Sequence, residues 1–342
     1  MSRESRILFI ERYGIGDGVL STPAIEGLRQ ASPDAEITTF TTSGVAELRR
    51  PCPHINRIVE SEAQPGVNLG AFDVIVDLTG KLSTARLSRA LGAPVRIGCP
   101  WWITRLLARR YYTHIVRPGP GAHVCTHKCD LAAVAGATQF PASPRLWLTD
   151  DDRQEAAAWL RSAGLENAAQ IVALNPSGHS RGRAWPAAGF VAVCDAIGAI
   201  AGARAVLIGA RDDLPRAQAI AAAAAHKPAI AAGALKLRQT AALMSHCSAI
   251  VTGDTGPMHL AAAAGVRVVA LFGRSDPSWS GPAGLGHIVL TAGMGCSPCR
   301  GTPHSRYRVC LNGYSCMGRI TPEQVIAALR QTLTHSKGIP SR

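Results

Sequence analysis

The sequence predicts an α/β protein made of two doubly wound units, and three observations carry that prediction. Strand-like apolar runs alternate with helix-like segments along the whole 342 residues. The alternation breaks near the middle, at Pro141–Pro144, and then begins again. Three strand ends run directly into loops rich in small residues that open a helix. At ~150 residues per domain the length fits two units, each long enough to bury its own core.

The first unit opens with Arg6–Glu11, a buried strand, followed by a Gly-rich turn at Tyr13–Gly18 and a helix from Val19 to Ala31. Glu36–Thr41 reads as a strand, Gly44–Arg50 as a short helix and Ile55–Glu60 as a strand. The continuous apolar run Phe72–Leu78 marks a central parallel strand. Leu82–Leu91 is helical, Val95–Gly98 a short strand, Thr104–Arg110 a basic helix and His123–Gly136 a further helix. Asp150–Gly164 begins with three aspartates, which suit a helix N-terminus.

The second unit starts at the strand Ile171–Asn175. It continues through Trp185–Ile200 (helix), Ala205–Ile208 (strand), Leu214–Ala225 (helix) and Arg238–His246 (helix). Ala249–Thr252 (strand), Gly256–Ala264 (helix) and Val266–Phe272 (strand) follow. Residues 281–318 are rich in Gly, Pro and Cys. Thr321 then caps a last helix to Leu333, with Pro322 at its first position. The units expected are therefore 1–165 and 166–342, with a Cys-rich segment at 295–317 and a last helix over 321–333.

Composition narrows the function classes. Apolar residues make up 47% and charged residues 17%, an ordinary globular balance that excludes a disordered chain. No apolar run approaches the ~20 residues of a membrane span. The polar start, Met1 to Arg6, predicts no signal peptide, and hence an intracellular protein whose ten cysteines stay reduced or bind a metal. The net charge is +13. Residues 78–129 carry nine basic side chains and no acid, and residues 166–342 carry 17 basic against 7 acidic ones. Arg outnumbers Lys 31 to 5, which suits capture of phosphate or carboxylate, although a GC-rich genome would give the same bias.

Five segments bear on chemistry. Gly14, Gly16 and Asp17 follow the first strand, but Val19 stands where a dinucleotide fingerprint needs its third glycine. What remains is a tight turn that presents Asp17 at the carboxyl end of a strand; the plain reading is a helix N-cap. Asn175–Pro186 places Ser177, Ser180, Arg181 and Arg183 in one loop, a phosphate cradle or simply a solvated basic loop. In Thr252–His259, Pro257 fixes a first helical turn whose free N–H groups suit an anion. There Thr255 adds a hydroxyl, and Asp254 caps the helix or accepts sugar hydroxyls. Cys296, Cys299, Cys310 and Cys316 fall within 21 residues and suit either a tetrahedral Zn or Fe site or four reduced thiols. The segment Cys99–Tyr112, with Arg105, Arg109 and Arg110 among aromatic and Leu residues, suits an anionic membrane surface or a helix with one wet basic face.

The ordered set of Gly16-Asp17 with Thr22-Pro23-Ala24, Ser180…Arg183-x-Trp185-Pro186 and Asp254-Thr-Gly-x-x-His259 resembles glycosyltransferase family 9, the heptosyltransferases of lipopolysaccharide core assembly. The tail Cys296-Ser-Pro-Cys299…Cys310…Cys316-Met317 followed by Ile320-Thr-Pro also resembles members of that family. The resemblance implies a GT-B fold, two Rossmann-like domains facing across a cleft, with the last helix returning to the first domain. It implies an inverting, metal-independent transfer from a nucleotide-diphosphate sugar, typically ADP-heptose, to an anionic glycolipid acceptor. No cofactor would be required, and nucleic acid would not be a partner. The enzyme would be cytoplasmic, with peripheral contact at the inner membrane surface.

By position, Asp17 becomes the general base and Arg183 the cation on the departing diphosphate. Ser180, Thr255 and Gly256 would hold the phosphates, Asp254 would meet the donor sugar, Asp213 the ribose and Leu237 the base, with Ser177 and His259 also in the donor site. Gly16, Arg105, Arg109 and Arg110 would face the acceptor. Domain closure would assemble the site and exclude water. The competing reading is a non-catalytic binding protein for anionic glycolipid or nucleic acid, which needs neither Asp17 nor Asp254.

Overall fold

Strand β1 (Arg6–Glu11) is apolar at nearly every position because both faces are covered, and Leu8, Phe9 and Ile10 are fully buried. It lies between β2 (Glu36–Thr41) and β4 (Val74–Asp77), parallel to both. The computed structural model describes residues 5–61, 69–100, 105–178, 182–299, 310 and 312–335. Contacts divide the chain into two units, 1–147 and 148–342.

The first sheet has the order β3-β2-β1-β4-β5-β6, with β3 at Arg57–Glu60, β5 at Val95–Gly98 and β6 at His114–Ile115. The second has the order β12-β11-β10-β7-β8-β9. Its strands are β7 (Gln170–Asn175), β8 (Ala203–Leu207), β9 (Ala229–Ile230), β10 (Ala249–Gly253), β11 (Arg267–Phe272) and β12 (Ile288–Thr291). Numbered within each unit, both read 3-2-1-4-5-6, so the architecture is used twice. In such sheets the chain reverses direction across the sheet between strands 1 and 4, and ligands bind beyond the carboxyl ends there. These switch points fall between β1 and β4 in one unit and between β7 and β10 in the other.

The helices depart from the sequence reading in places. The first one is two: α1 (Ile15–Leu20), then α2 (Thr22–Ala31), with Ser21 between them. Then come α3 (Ser43–Arg49), α4 (Leu82–Ala90), α5 (Arg105–Ala108) and α6 (Val124–Val134). Helix α7 (Asp150–Ser162), expected in the first unit, groups with the second. It lies on α10 (Leu237–Ser245), where Arg238 Nε stands 3.0 Å from Asp152 Oδ2. The boundary therefore falls after Trp147, before the Thr149–Asp152 capping box that starts α7.

The second unit also contains α8 (Ala187–Gly198), α9 (Leu214–Ala223), α11 (Gly256–Ala263), α12 (Pro277–Ser280) and α13 (Pro322–His335). Helix α13 was expected to return to the first unit. It packs on α8, β10 and β11, and Val325, Ala328, Leu329 and Leu333 join the second unit's core with Val172 and Phe190. The apolar stripe of a terminal helix is satisfied by whichever sheet face lies open to it, and periodicity does not say which. Among the described residues, no helix is long and apolar enough to cross a membrane.

Candidate active site

Each unit carries a candidate site at its own switch point. In the first unit, Glu11 ends β1 inside the protein, fully buried. Arg49, 1% exposed, reaches it from α3 with Nη2 2.9 Å from Oε1 and Nε 3.2 Å from Oε2. Ser21 and Tyr13 donate hydroxyl bonds to Oε1, and Thr39 donates one to Oε2. Burial alone would push the Glu11 carboxyl up; the Arg49 charge and the bonds from Arg49, Ser21 and Thr39 outweigh it and bring the pKa down to about 2.

This scaffold carries Asp17. The residue is not an N-cap; Gly14 takes that place, and Asp17 lies in the first turn of α1. Its side chain is half exposed, and Lys128 from α6 bonds to Oδ1 at 3.1 Å. Gly16 precedes it on the same short helix. Segment 105–110 connects β5 to β6, and the Tyr111 carbonyl accepts from Arg96 Nε at 2.9 Å, so at Arg109 and Arg110 the chain has already returned toward the start of β6. Arg109 and Arg110 are exposed, as are Leu106 (74%) and Leu107. Arg105 belongs to α5; Trp101–Thr104 lie outside the described residues.

In the second unit, Asn175 ends β7 and spans the switch point. Its Nδ2 donates to Thr252 Oγ1 on β10 and to Thr255 Oγ1, both at 2.9 Å. Thr255 is the N-cap of α11 and Gly256 its first residue, so the free N–H groups of that turn open where strand β10 ends. Ser177 Oγ lies 2.7 Å from Asp213 Oδ2, and the Ala210 amide donates to the same oxygen at 2.8 Å. The two residues assigned to phosphate and ribose are thus joined, and Asp213 is only 5% exposed.

Arg183 Nη2 approaches Asp254 Oδ2 at 3.4 Å; Asp254 is nearly buried and Arg183 half exposed. An Arg that is held at one edge keeps its remaining donors for an anion. Gly253 permits this, since a Cβ there would stand 3.0 Å from the Arg183 carbonyl oxygen. His259 is buried in α11, and Leu237 is half-buried at the start of α10. Ser180 and Arg181 lie outside the described residues.

The Cys-rich segment braces this loop. Trp185 Nε1 donates to the Ile320 carbonyl at 2.8 Å, and Tyr314 packs on Gly182, whose φ of +85° suits glycine. Cys296, Cys299, Cys310 and Cys316 line one cavity with Arg274 and Met294. The tetrahedral set the spacing suggested is not formed. Cys299 Sγ turns to the Cys296 carbonyl and Cys316 Sγ toward that of Gly182. Among the described residues no three His, Cys, Asp or Glu side chains are placed to hold a metal ion. All ten cysteines are free.

The model of glycosyltransferase family 9 (heptosyltransferase) matches residues 66–308, well over half of the sequence. The chain belongs to glycosyltransferase family 9. This glycosyltransferase is 27% identical over 297 residues to lipopolysaccharide heptosyltransferase 3 of Escherichia coli, covering 81% of this chain and 86% of that one. A family 9 glycosyltransferase from Veillonella parvula is similar in structure, with a TM-score of 0.85 at 25% identity over 98% of this chain and 99% of that one. The E. coli ADP-heptose lipopolysaccharide heptosyltransferase II gives a TM-score of 0.75 at 20% identity, over 97% and 100% of the two chains. The fold is GT-B, and the non-catalytic alternative is not favoured.

Sequence reading of this glycosyltransferase missed Lys128, Asn175 and Arg49. Lys128 was one of nine basic residues in an acid-free stretch, and nothing local marks it as buried. Asn175 carried a signal, since a polar side chain ending a buried strand needs partners.

Proposed function

We propose that this enzyme moves a heptose from ADP-heptose to a lipopolysaccharide core or similar anionic glycolipid, with inversion and without a metal at the reacting centre. One observation carries the reading. A half-exposed carboxylate, Asp17, stands at one switch point, while a held guanidinium and an open helix start stand at the other. The printed names of the relatives, lipopolysaccharide heptosyltransferases, support the substrate class.

The first unit takes the acceptor and the second the donor. Asp17 accepts the proton of the acceptor hydroxyl as its oxygen bonds to the anomeric carbon from the face opposite the diphosphate. The bond from that carbon to the diphosphate oxygen breaks, and ADP leaves with the electron pair. Arg183 and the N–H groups at the start of α11 receive the growing charge. Asp254 fixes Arg183 and faces the donor sugar with His259. Ser177, Ser180 and Thr255 hold phosphates, while Asp213 and Leu237 sit toward the nucleoside.

Arg105, Arg109 and Arg110 bind acceptor phosphate or carboxylate groups. With exposed Leu106 and Leu107 they also suit peripheral contact with an anionic inner membrane surface, in keeping with a cytoplasmic enzyme.

A melting-shift screen over ADP-heptose, UDP- and GDP-sugars, followed by a transfer assay, tests the donor. ADP-heptose is expected to raise Tm most and to support transfer. Protection by a UDP- or GDP-sugar and none by ADP-heptose rejects this donor. RNA affinity at physiological salt without any nucleotide-sugar protection favours the binding-protein reading.

The four C-terminal cysteines are proposed to take a structural Zn or Fe ion after their side chains turn inward. The support is their common cavity and the amide donors already aimed at two sulfurs, Asn312 Nδ2 at Cys296 and the Tyr314 N–H at Cys310. Elemental analysis is expected to give about one ion per chain; less than about a tenth rejects the site.

A further inference from the structure

The ammonium of Lys128 is buried, yet it touches the most exposed functional carboxylate of the first unit. Its side chain is 3% exposed and that of Asp17 49%. Nζ donates to the Asp17 carbonyl at 2.6 Å and to Asp17 Oδ1 at 3.1 Å, and lies 3.9 Å from the centre of the Tyr13 ring. The six residues of α1 are too few to hold a helix unaided. The carbonyls in its last turns need donors from outside. Lys128 supplies one for Asp17, and Arg49 Nη2 supplies one for Gly18 at 2.6 Å. Two buried cations thus clamp α1.

We infer that Lys128 is the positioning residue for Asp17: it fixes both the backbone and one carboxylate oxygen of the base, whose side chain stays half exposed. This rests on the reading of Asp17 as the base. Removing a buried ammonium is rarely neutral, because its partners are left behind. Here, however, one partner is half exposed and water replaces the lost donor, so the main loss is orientation. A base misplaced by about an ångström costs on the order of 10²-fold in rate. Tyr13 and Asp17 face Lys128 from the loop and α1. Glu11 and Arg49 stand behind Tyr13, and Cys125, His127 and Asp130 share α6.

The test uses the full chain with ADP-heptose and a core acceptor. Lys128→Met is expected to lower kcat by about 30- to 100-fold, leave the donor KM within about twofold, and move the acid limb of the pH–rate profile upward. Lys128→Arg is expected to recover part of the rate. Lys128→Gln, which keeps a donor for the Asp17 carbonyl, serves if the Met variant does not fold, with a smaller loss expected that still exceeds about threefold. In an Asp17→Asn background the Lys128 change is expected to add nothing. A loss below about threefold, or an undiminished loss in the Asp17→Asn background, overturns the positioning role. An Asp17→Asn enzyme with wild-type kcat overturns the base reading instead.

Discussion

Asp17→Asn is expected to lower kcat by about 10²- to 10⁴-fold, with the donor KM and the melting temperature little changed. Asparagine matches the carboxylate in size and keeps an oxygen for Lys128 Nζ, so α1 stays clamped. What it loses is the ability to take a proton. The acceptor hydroxyl is a weak nucleophile until that proton leaves, so in the proposed mechanism the loss falls on the chemical step and not on donor binding, which that mechanism assigns to the second unit. Single-turnover transfer measured beside steady-state turnover separates the two. Full transfer by the variant removes Asp17 from the mechanism. Hydrolysis of donor that persists while transfer falls would point to the same conclusion as the expected result, since water can still reach the anomeric carbon.

The second large effect is on stability. Arg49→Met is expected to cost about 3–5 kcal/mol, because it leaves the Glu11 carboxylate buried without its cation. The pH dependence identifies the cause. In the wild type the folded Glu11 pKa is about 2, below its ordinary value of 4.5. Its contribution is complete above pH 4.5 and is lost as pH falls from there toward 2. Without Arg49 the effect of burial dominates and the folded pKa rises above 4.5. The variant then binds more protons folded than unfolded just above pH 4.5, so its stability falls as pH rises through that window. Urea melts from pH 4.5 to 8 read the difference. A deficit constant across that range would show that lost packing, not the stranded charge, destabilises the variant.

The sheets were largely legible in the sequence because their central strands are buried on both faces and read as unbroken apolar runs. Of the four edge strands only β3 was, as Ile55–Glu60. The two-residue β6 and β9 carry no pattern of their own, and β12 alternates half-buried with exposed residues inside a Gly- and Pro-rich stretch. In the candidate site, the turns that end β1, β7 and β10 were found because loops that open a helix at a strand end have a composition of their own. The ion pairs behind them were not. Arg49 lies 38 residues from Glu11 and Lys128 lies 111 from Asp17, and only the fold brings those partners together.

The repeated strand order also bears on how the chain is made. Every hydrogen-bonded neighbour of β1 to β6 lies within the first 115 residues, before β7 begins at Gln170. The first sheet can be complete while the ribosome is still adding the second, so it need not wait for distant partners or expose an unpaired central strand. The carboxyl terminus matters differently. Helix α13 fills the core of the second unit, so that unit gains its last buried side chains only after synthesis reaches Leu333.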